Sequence, residues 1–383
     1  MKRTQDIQQL VRAVSHSEVK AALALTRGLL RNGLSAWDVL DALEPLSLFA
    51  FSHTYTSIHV PKEHEYLLRL LQDVSELWHV DFLSRFIEYL AWSPKYVDRH
   101  VASFPSGVES FTDVTGRYLD ALEEPKGLAA LFYANKLAEA SGLDDVLRIA
   151  LRVGCNDLAQ DIGHYFSCTD SLIRLAQTAG LPQAKDHLFA ITMYLMQSSP
   201  VVTAHPERPA QTLRDILSRL VTKGTFVGYH YVIVANGLIK NRAFVGDAHY
   251  NHGLAQLDTI SYQLASTLSA KAMDALASGE MIGGSNDLLT DLQRSIWTAA
   301  RPRAFALLRH YIQEYGVTTE LTIAIAHSFT RIDEHPHDPH YVTFPLSAFE
   351  LLPHLVAEER ELILAQCIDF AINRVQQHGL MSL

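Results

Sequence analysis

Cysteine, basic charge and long apolar runs are all scarce in this chain of 383 residues. The three cysteines, Cys155, Cys168 and Cys367, are too few and too unevenly spaced to form a disulfide framework. No run of about 18 apolar residues exists to span a membrane. The opening residues, 1–6, lack the apolar stretch of a secretion signal. These absences predict a cytoplasmic protein without a membrane span.

The shortage of basic side chains excludes two classes of partner. Lysine and arginine number 32 against 42 aspartate and glutamate residues, which gives a formal net charge of −10. The basic residues are scattered along the chain and form no stripe. Recognition of nucleic acid and attraction to an anionic membrane both need a basic surface. We therefore expect neither nucleic acid nor a membrane surface as a partner.

The chain is rich in apolar residues arranged with helical periodicity. Hydrophobic residues make up 48% of the sequence and charged residues 19%, enough for a large core and for burial in a homo-oligomer. Apolar positions recur three and four residues apart in segments such as 6–33 and 61–78. The β-branched stretch 226–239 is too isolated to build a sheet and favours a buried helix. The pattern predicts an all-α fold.

The spacing of helices and loops suggests how the domain is organised. Three loop-like segments, 198–211, 277–287 and 334–345, contain Pro, Gly, Asp or Ser, and none has the length of an interdomain linker. We therefore predict one all-helical domain over residues 1–383. Its paired antiparallel helices would form a curved stack or a closed α/α ring.

Histidine recurs in four similar segments, at 52–59, 163–170, 229–236 and 326–333. In each segment Tyr, Phe or Val lies two residues after the histidine, and a polar residue lies six residues after it. The resulting pairs are His53 and His59, His164 and Asp170, His230 and Asn236, and His327 and Asp333. A further histidine follows 19–27 residues later in each case. We interpret the segments as a degenerate helical-hairpin repeat.

The six-residue spacing limits what one segment can bind. Six residues turn an α-helix through about 600°, so the two polar groups point about 120° apart. A metal site would need histidines from several helices that meet at one cavity. Imidazole suits iron, zinc, copper or nickel, and iron is our leading expectation. The predicted ligands are His53, His59, His164, His230 and His327.

The same residues also suggest acid–base chemistry. A carboxylate beside an imidazole stabilises the protonated ring, which suits catalysis near neutral pH. The candidate catalytic residues are His164, His230 and His327, with Asp170, Asn236 and Asp333 to orient them. The alternative for any single histidine is a core residue that bonds a backbone carbonyl or an aspartate.

A dense cluster, HPHDPH, occupies residues 335–340. Its three histidines and Asp338 would suit a metal ion or the mouth of a pocket. Proline at every third position favours instead a surface loop whose histidines bind metal only adventitiously.

The segment DLAQDIGHYFSCTDSLIRLAQTAG, at 157–180, resembles a group of bacterial helical proteins in which Asp-Ile-Gly-His opens a helix. His164 and Asp170 match that pattern, and the segments FSHTYTSIH and IAHSFTRID resemble its other histidine segments. The chain is also distantly similar to the questin oxidase-like family, although His59 replaces the usual amide or acid. The resemblance implies an all-helical enzyme of oxidative tailoring, and a redox partner protein of the Rieske type.

These observations lead to one principal functional hypothesis and two alternatives. The principal hypothesis is an oxidoreductase whose histidine-lined, iron-binding pocket accepts a small, largely apolar substrate. The first alternative is a non-catalytic helical-repeat scaffold whose concave face binds a partner protein. The second is a metal-independent hydrolase or lyase that uses His/Asp acid–base pairs.

Overall fold

The computed structural model describes residues 2–50, 58–95, 113–124, 126–179, 184–197, 201–202, 207–266, 273–274 and 287–381. The all-α prediction is confirmed, because these residues form eighteen α-helices and no strand. Their only β-type pairings are two isolated bridges, Ala50 with Lys95 and Ile332 with Leu380. The helices are α1 (Lys2–Ser15), α2 (Val19–Arg31), α3 (Ala36–Ser47), α4 (His59–Leu70), α5 (Glu76–Trp92), α6 (Val114–Glu123), α7 (Gly127–Ser141), α8 (Leu143–Cys155), α9 (His164–Ala179), α10 (Ala184–Gln197), α11 (Leu213–Leu220), α12 (Phe226–Val245), α13 (Asp247–Gln263), α14 (Leu288–Trp297), α15 (Arg301–Tyr315), α16 (Thr319–Ser328), α17 (His340–Leu351) and α18 (Ala357–His378).

Local sequence explains where several of these helices begin. Ser35 and Thr212 each cap the backbone N–H three residues on, and Asp38 and Asp215 bond back to complete two capping boxes. Thr225 caps α12 by accepting from the Gly228 N–H at 3.1 Å. The β-branched stretch 226–239 lies within α12, so the prediction of a buried helix there is confirmed.

Four helices form a contact circuit at the centre of the molecule. Helix α4 packs against α9 and α17, and α12 packs against the same two helices. A single cluster of buried apolar side chains extends from Leu10 to Val375 around them. The hairpin repeat and the stacked or ring arrangement of helix pairs stay predictions.

Helix α4 is buried on nearly all sides although its sequence is polar. Ten of its 12 residues are buried, including two histidines, two glutamates and a lysine. Burial of such groups is tolerated when each finds a hydrogen-bond partner. The pairs are Lys62 with Ser167, Glu63 with His337, His64 with Ser47, and Glu65 with Arg69, while His59 contacts His164.

The segment 334–345 is only partly the loop that the sequence predicts. Helix α17 begins at His340 and includes Pro345 in its second turn. In the predicted loop 198–211, the described residues 201–202 and 207–211 form no helix, as expected, whereas the predicted loop 277–287 lies outside the described residues except for Asp287.

The structure also bears on the membrane question. Among the helices it describes, none combines the length and apolar character needed to cross a bilayer.

Candidate metal centre

Four buried histidines from distant parts of the chain meet inside the helix circuit. They are His59, His164, His230 and His340, and one ring nitrogen from each lies within 4.8 Å of the other three. Three of them are the first residues of α4, α9 and α17, and His230 lies in the first turns of α12. Each helix of the circuit therefore contributes one imidazole.

The four rings form a closed arrangement. Ring centroids are 4.5 Å apart for His59 and His164, 4.7 Å for His164 and His230, 4.5 Å for His230 and His340, and 5.2 Å for His340 and His59. Nε2 of His59 and Nε2 of His164 lie 2.9 Å apart. Such spacing brings all four imidazoles within reach of a single metal ion.

The outer nitrogens of three rings face oxygen acceptors. His230 Nδ1 donates to the Phe226 carbonyl at 2.7 Å, and His340 Nδ1 donates to Asp338 Oδ1 at 2.6 Å. His164 Nδ1 lies 3.5 Å from Asp161 Oδ2. A hydrogen on Nδ1 leaves the Nε2 lone pair free to bind a metal, and such outer partners fix a ligand's orientation.

Asp338 is the most strongly held of these outer groups. It is buried, and it accepts hydrogen bonds from the ring and the backbone N–H of His340 and from Arg374. Burial alone raises the pKa of this carboxyl. The nearby His340 and Arg374 outweigh that effect and hold the pKa well below its usual range. Asp338 is therefore an anion throughout the working pH range, close to the cluster.

A strained turn precedes α9. Asp161, Ile162 and Gly163 have φ values of 46°, 47° and 81°, in the left-handed region that β-branched residues rarely adopt. A Cβ on Gly163 would lie 2.4 Å from Val234 Cγ2, so only glycine fits here. The turn places Asp161 beside His164. Strain of this kind is held by its surroundings and concentrates at functional sites.

Burial keeps three of the four imidazoles uncharged. It lowers the pKa of His164 to about 4, and it lowers the pKa of His59 and of His230 well below the ordinary value. Repulsion between neighbouring imidazoles and from Lys62 adds to the effect. Neutral imidazole is the form that binds metal.

These shifts predict that the metal-free protein loses stability as the pH falls. In the unfolded chain, histidines take up protons near pH 6.5. In the folded protein, two buried histidines take them up only near pH 4: His164, and His64 on the far side of α4. The unfolded state is therefore favoured increasingly from pH 6.5 down to 4, by about 1.4 kcal/mol per pH unit for each such histidine. Urea unfolding in the presence of a chelator should give a lower midpoint at pH 5 than at pH 7. Equal midpoints at the two pH values would contradict neutral, buried imidazoles.

Among the described residues, Lys62 is the one fully buried lysine, and it lies beside the cluster. It lies one helical turn after His59, is fully buried, and donates from Nζ to Ser167 Oγ at 3.0 Å. Burial lowers its pKa, and the nearby Cys168, Asp170 and Asp161 oppose that shift. Its Nζ is thus a hydrogen-bond donor within the core.

The structure brings together three of the five ligands that the sequence predicts. His59, His164 and His230 lie in the cluster, and His53 lies outside the described residues. His327 lies apart, because its Nε2 bonds Asp81 at 2.9 Å and its ring stacks on Trp78 at 4.3 Å. It is a core histidine with partners of its own.

The predicted orienting residues bond other groups. Asp170 accepts from Arg174 and from Asn241, at 3.0 and 2.8 Å, and Asn236 donates to Glu350 at 2.6 Å. Asp333 accepts from His335 Nε2 at 2.8 Å. The geometric reason is the spacing itself, since a residue six places on points about 120° away from its histidine.

The surface-loop interpretation of residues 335–340 is wrong for the second half of that segment. His337, Asp338 and His340 are 2%, 3% and 0% exposed. The Asp-Pro-His step that ends the segment turns the chain into α17. That turn places two groups in the core: His340, the fourth member of the cluster, and its carboxylate partner Asp338.

No protein-family model, curated protein or solved structure matches this chain.

Proposed function

We propose that His59, His164, His230 and His340 hold one iron ion, and that the protein is an oxidoreductase acting on a small, largely apolar molecule. The observation that carries the proposal is the convergence of four buried imidazoles, with one ring nitrogen of each within 4.8 Å of the other three. The sequence resemblance to the questin oxidase-like family agrees with it.

The donor set supports a metal ion. His230 Nε2 is buried and has no hydrogen-bond partner among the described residues, an arrangement that is costly unless a ligand occupies it. Four imidazoles without a thiolate suit iron, copper, nickel or zinc.

The cluster suits either an octahedral or a tetrahedral ion. Bonds of about 2.1 Å place neighbouring ligands about 3.0 Å apart in octahedral geometry and about 3.4 Å apart in a tetrahedron. Nε2 of His59 and Nε2 of His164 lie 2.9 Å apart, within reach of both arrangements. Six-coordinate iron would have two positions open beyond the four protein ligands, whereas tetrahedral zinc would have none.

When bound, iron(II) supplies one-electron chemistry with dioxygen as the oxidant. The chain's own residues orient the ligands and exclude water. Asp338 and the Phe226 carbonyl fix the rings of His340 and His230, and Lys62 Nζ donates a hydrogen bond to Ser167 nearby. The apolar core around the circuit would favour an apolar substrate. A redox partner protein would return electrons to the centre.

Anaerobic reconstitution with iron(II) tests the proposal. Untagged protein is washed with chelator, loaded with iron(II) or with zinc(II), and analysed by inductively coupled plasma mass spectrometry. We expect one equivalent of iron per chain. Nitric oxide should then give the electron paramagnetic resonance signal of a spin-3/2 adduct, which requires an open coordination position, and dioxygen should be consumed when an electron donor is supplied.

Two outcomes would overturn the proposal. Tight zinc binding, with iron that gives no nitric oxide signal, would identify a closed structural site. Failure to retain any metal would leave the imidazoles as core hydrogen-bonding groups and would favour the scaffold alternative.

A further inference from the structure

The four-histidine cluster is closed to solvent. Each of its histidines is at most 3% exposed. A metal ion that binds there, and any substrate that reaches the ion, therefore needs an entry path. Loops that open and close over a buried site commonly provide such a path.

Phe226 covers two of the four rings and also reaches the surface. This first residue of α12 is 37% exposed. Its ring centroid lies 4.7 Å from that of His230 and 5.0 Å from that of His340. One aromatic side chain thus contacts both of these imidazoles on one side and solvent on the other.

The strained turn before α9 covers a third ring in the same way. The Asp161 side chain is 29% exposed, and its Oδ2 lies 3.5 Å from His164 Nδ1. The turn packs against α12, and the ring centroids of His164 and His230 are 4.7 Å apart. The turn and Phe226 therefore cover neighbouring imidazoles. Asp338, the outer partner of His340, is by contrast buried.

This turn is anchored at both ends and strained between them. Asp157 accepts from the Gln160 N–H at 3.1 Å before the turn, and Gly163 lies against Val234 after it. Between these anchors, Ile162 has a φ of 47° and is only partly buried. A β-branched residue is relieved of a steric clash when it leaves the left-handed region. The turn is therefore able to open while the helices on either side stay folded.

We propose that Phe226 and the turn at residues 161–163 form a gate through which the metal ion and the substrate reach the four histidines. In the open state Ile162 leaves the left-handed region, Asp161 moves away from His164, and the Phe226 ring swings outward. The inference rests on the proposed function for the identity of what passes. An exposed aromatic ring at the entrance suits a small, largely apolar molecule, and closure excludes water from the centre.

Chemical labelling of histidines in the metal-free full chain tests the gate. Diethyl pyrocarbonate acylates neutral imidazole nitrogens that it can reach, and mass spectrometry of peptides identifies each labelled histidine. Because the cluster is closed, labelling of its members reports opening. Phe226→Ala removes the outer ring and should speed labelling of His230 and His340 about 10-fold or more.

Ile162→Asn should have the opposite effect. Asparagine adopts the left-handed conformation more readily than a β-branched residue, so it favours the closed turn. We expect labelling of His164 to become about 3-fold slower or more. In protein loaded with iron(II), release of iron to a chromophoric chelator should change in the same direction as labelling in each variant.

Two control variants make the same chemical changes far from the gate. Tyr315→Ala removes an aromatic side chain that is 63% exposed at the end of α15. Ala299→Asn places asparagine at another left-handed residue, with a φ of 53°, between α14 and α15. Neither should alter the labelling rate of the cluster.

Circular dichroism verifies that each variant is folded, and Phe226→Leu takes the place of Phe226→Ala if the alanine variant is not. Unchanged labelling of the cluster in a folded Phe226 variant or in folded Ile162→Asn would overturn the proposal. Labelling that occurs only at the rate of global unfolding in urea would overturn it too. Because labelling needs no metal, a chain that labels as expected but retains no iron would overturn the proposed function and support the gate.

Discussion

The double variant His164→Ala, His230→Ala is expected to lose its metal while remaining helical. It removes two of four ligands from opposite sides of the contact between α9 and α12. Loss of an outer partner of a metal ligand typically costs 10- to 100-fold in affinity, so loss of two ligands should cost well over about 100-fold. Metal analysis after a chelator wash should therefore find less than a tenth of the natural protein's iron.

His327→Ala is the matched control for that experiment. His327 belongs to the same kind of sequence segment and is equally a buried histidine, but it bonds Asp81 and stacks on Trp78. Its loss should lower the free energy of unfolding and leave the metal content unchanged. Far-ultraviolet circular dichroism verifies that both variants are helical. Retention of metal by the double variant, or an equal loss in His327→Ala, would contradict the assignment of the ligands.

The helices were largely predictable because their signals are local. Periodicity, N-cap residues and glycines after helix ends act within a few positions. Side-chain caps begin α3, α11, α12, α14 and α16, and a glycine follows α7, α12, α15 and α18. Helix α4 shows the limit of that information. Its polar segment HVPKEHEY is typical of a solvent-facing helix, yet it is buried because Ser47, Ser167 and His337 from other elements supply partners.

The candidate site was predictable in part. The histidine pattern points to His59, His164 and His230, each in a helix context. The pattern cannot distinguish these three histidines from His327. His327 differs from them because it contacts Asp81 and Trp78, which come from a distant part of the chain. His340 escapes the pattern because prolines surround it and favour a loop.

The orienting groups lie before the histidines and not after them. Asp161 precedes His164 by three residues and Asp338 precedes His340 by two, both across a turn that opens a helix. A carboxylate just ahead of a histidine at a predicted helix start is therefore the local signal for this arrangement. A polar residue six places after a histidine can bond groups other than that histidine. Asp170 bonds Arg174 and Asn241.

Asp338→Asn should weaken both the metal site and the fold. The amide keeps the shape of the carboxyl but loses the charge that pairs with Arg374 and stabilises His340 Nδ1–H. We expect a 10- to 100-fold lower metal affinity, as for other outer partners of metal-binding histidines. Loss of the buried ion pair with Arg374 should lower the free energy of unfolding by up to about 3–5 kcal/mol.

Competition against a chromophoric chelator measures the affinity, and urea unfolding of the metal-free protein measures the stability. Asp333→Asn is the control, since that carboxylate lies five residues earlier, is exposed, and bonds His335 outside the cluster. It should change neither quantity appreciably. If the two variants behave alike, then Asp338 does not orient His340, and the negative charge near the cluster comes from another residue. If Asp338→Asn alone loses metal affinity, the carboxylate that enters the core with α17 is part of the centre, and the turn at residues 338–340 builds a ligand and its support together.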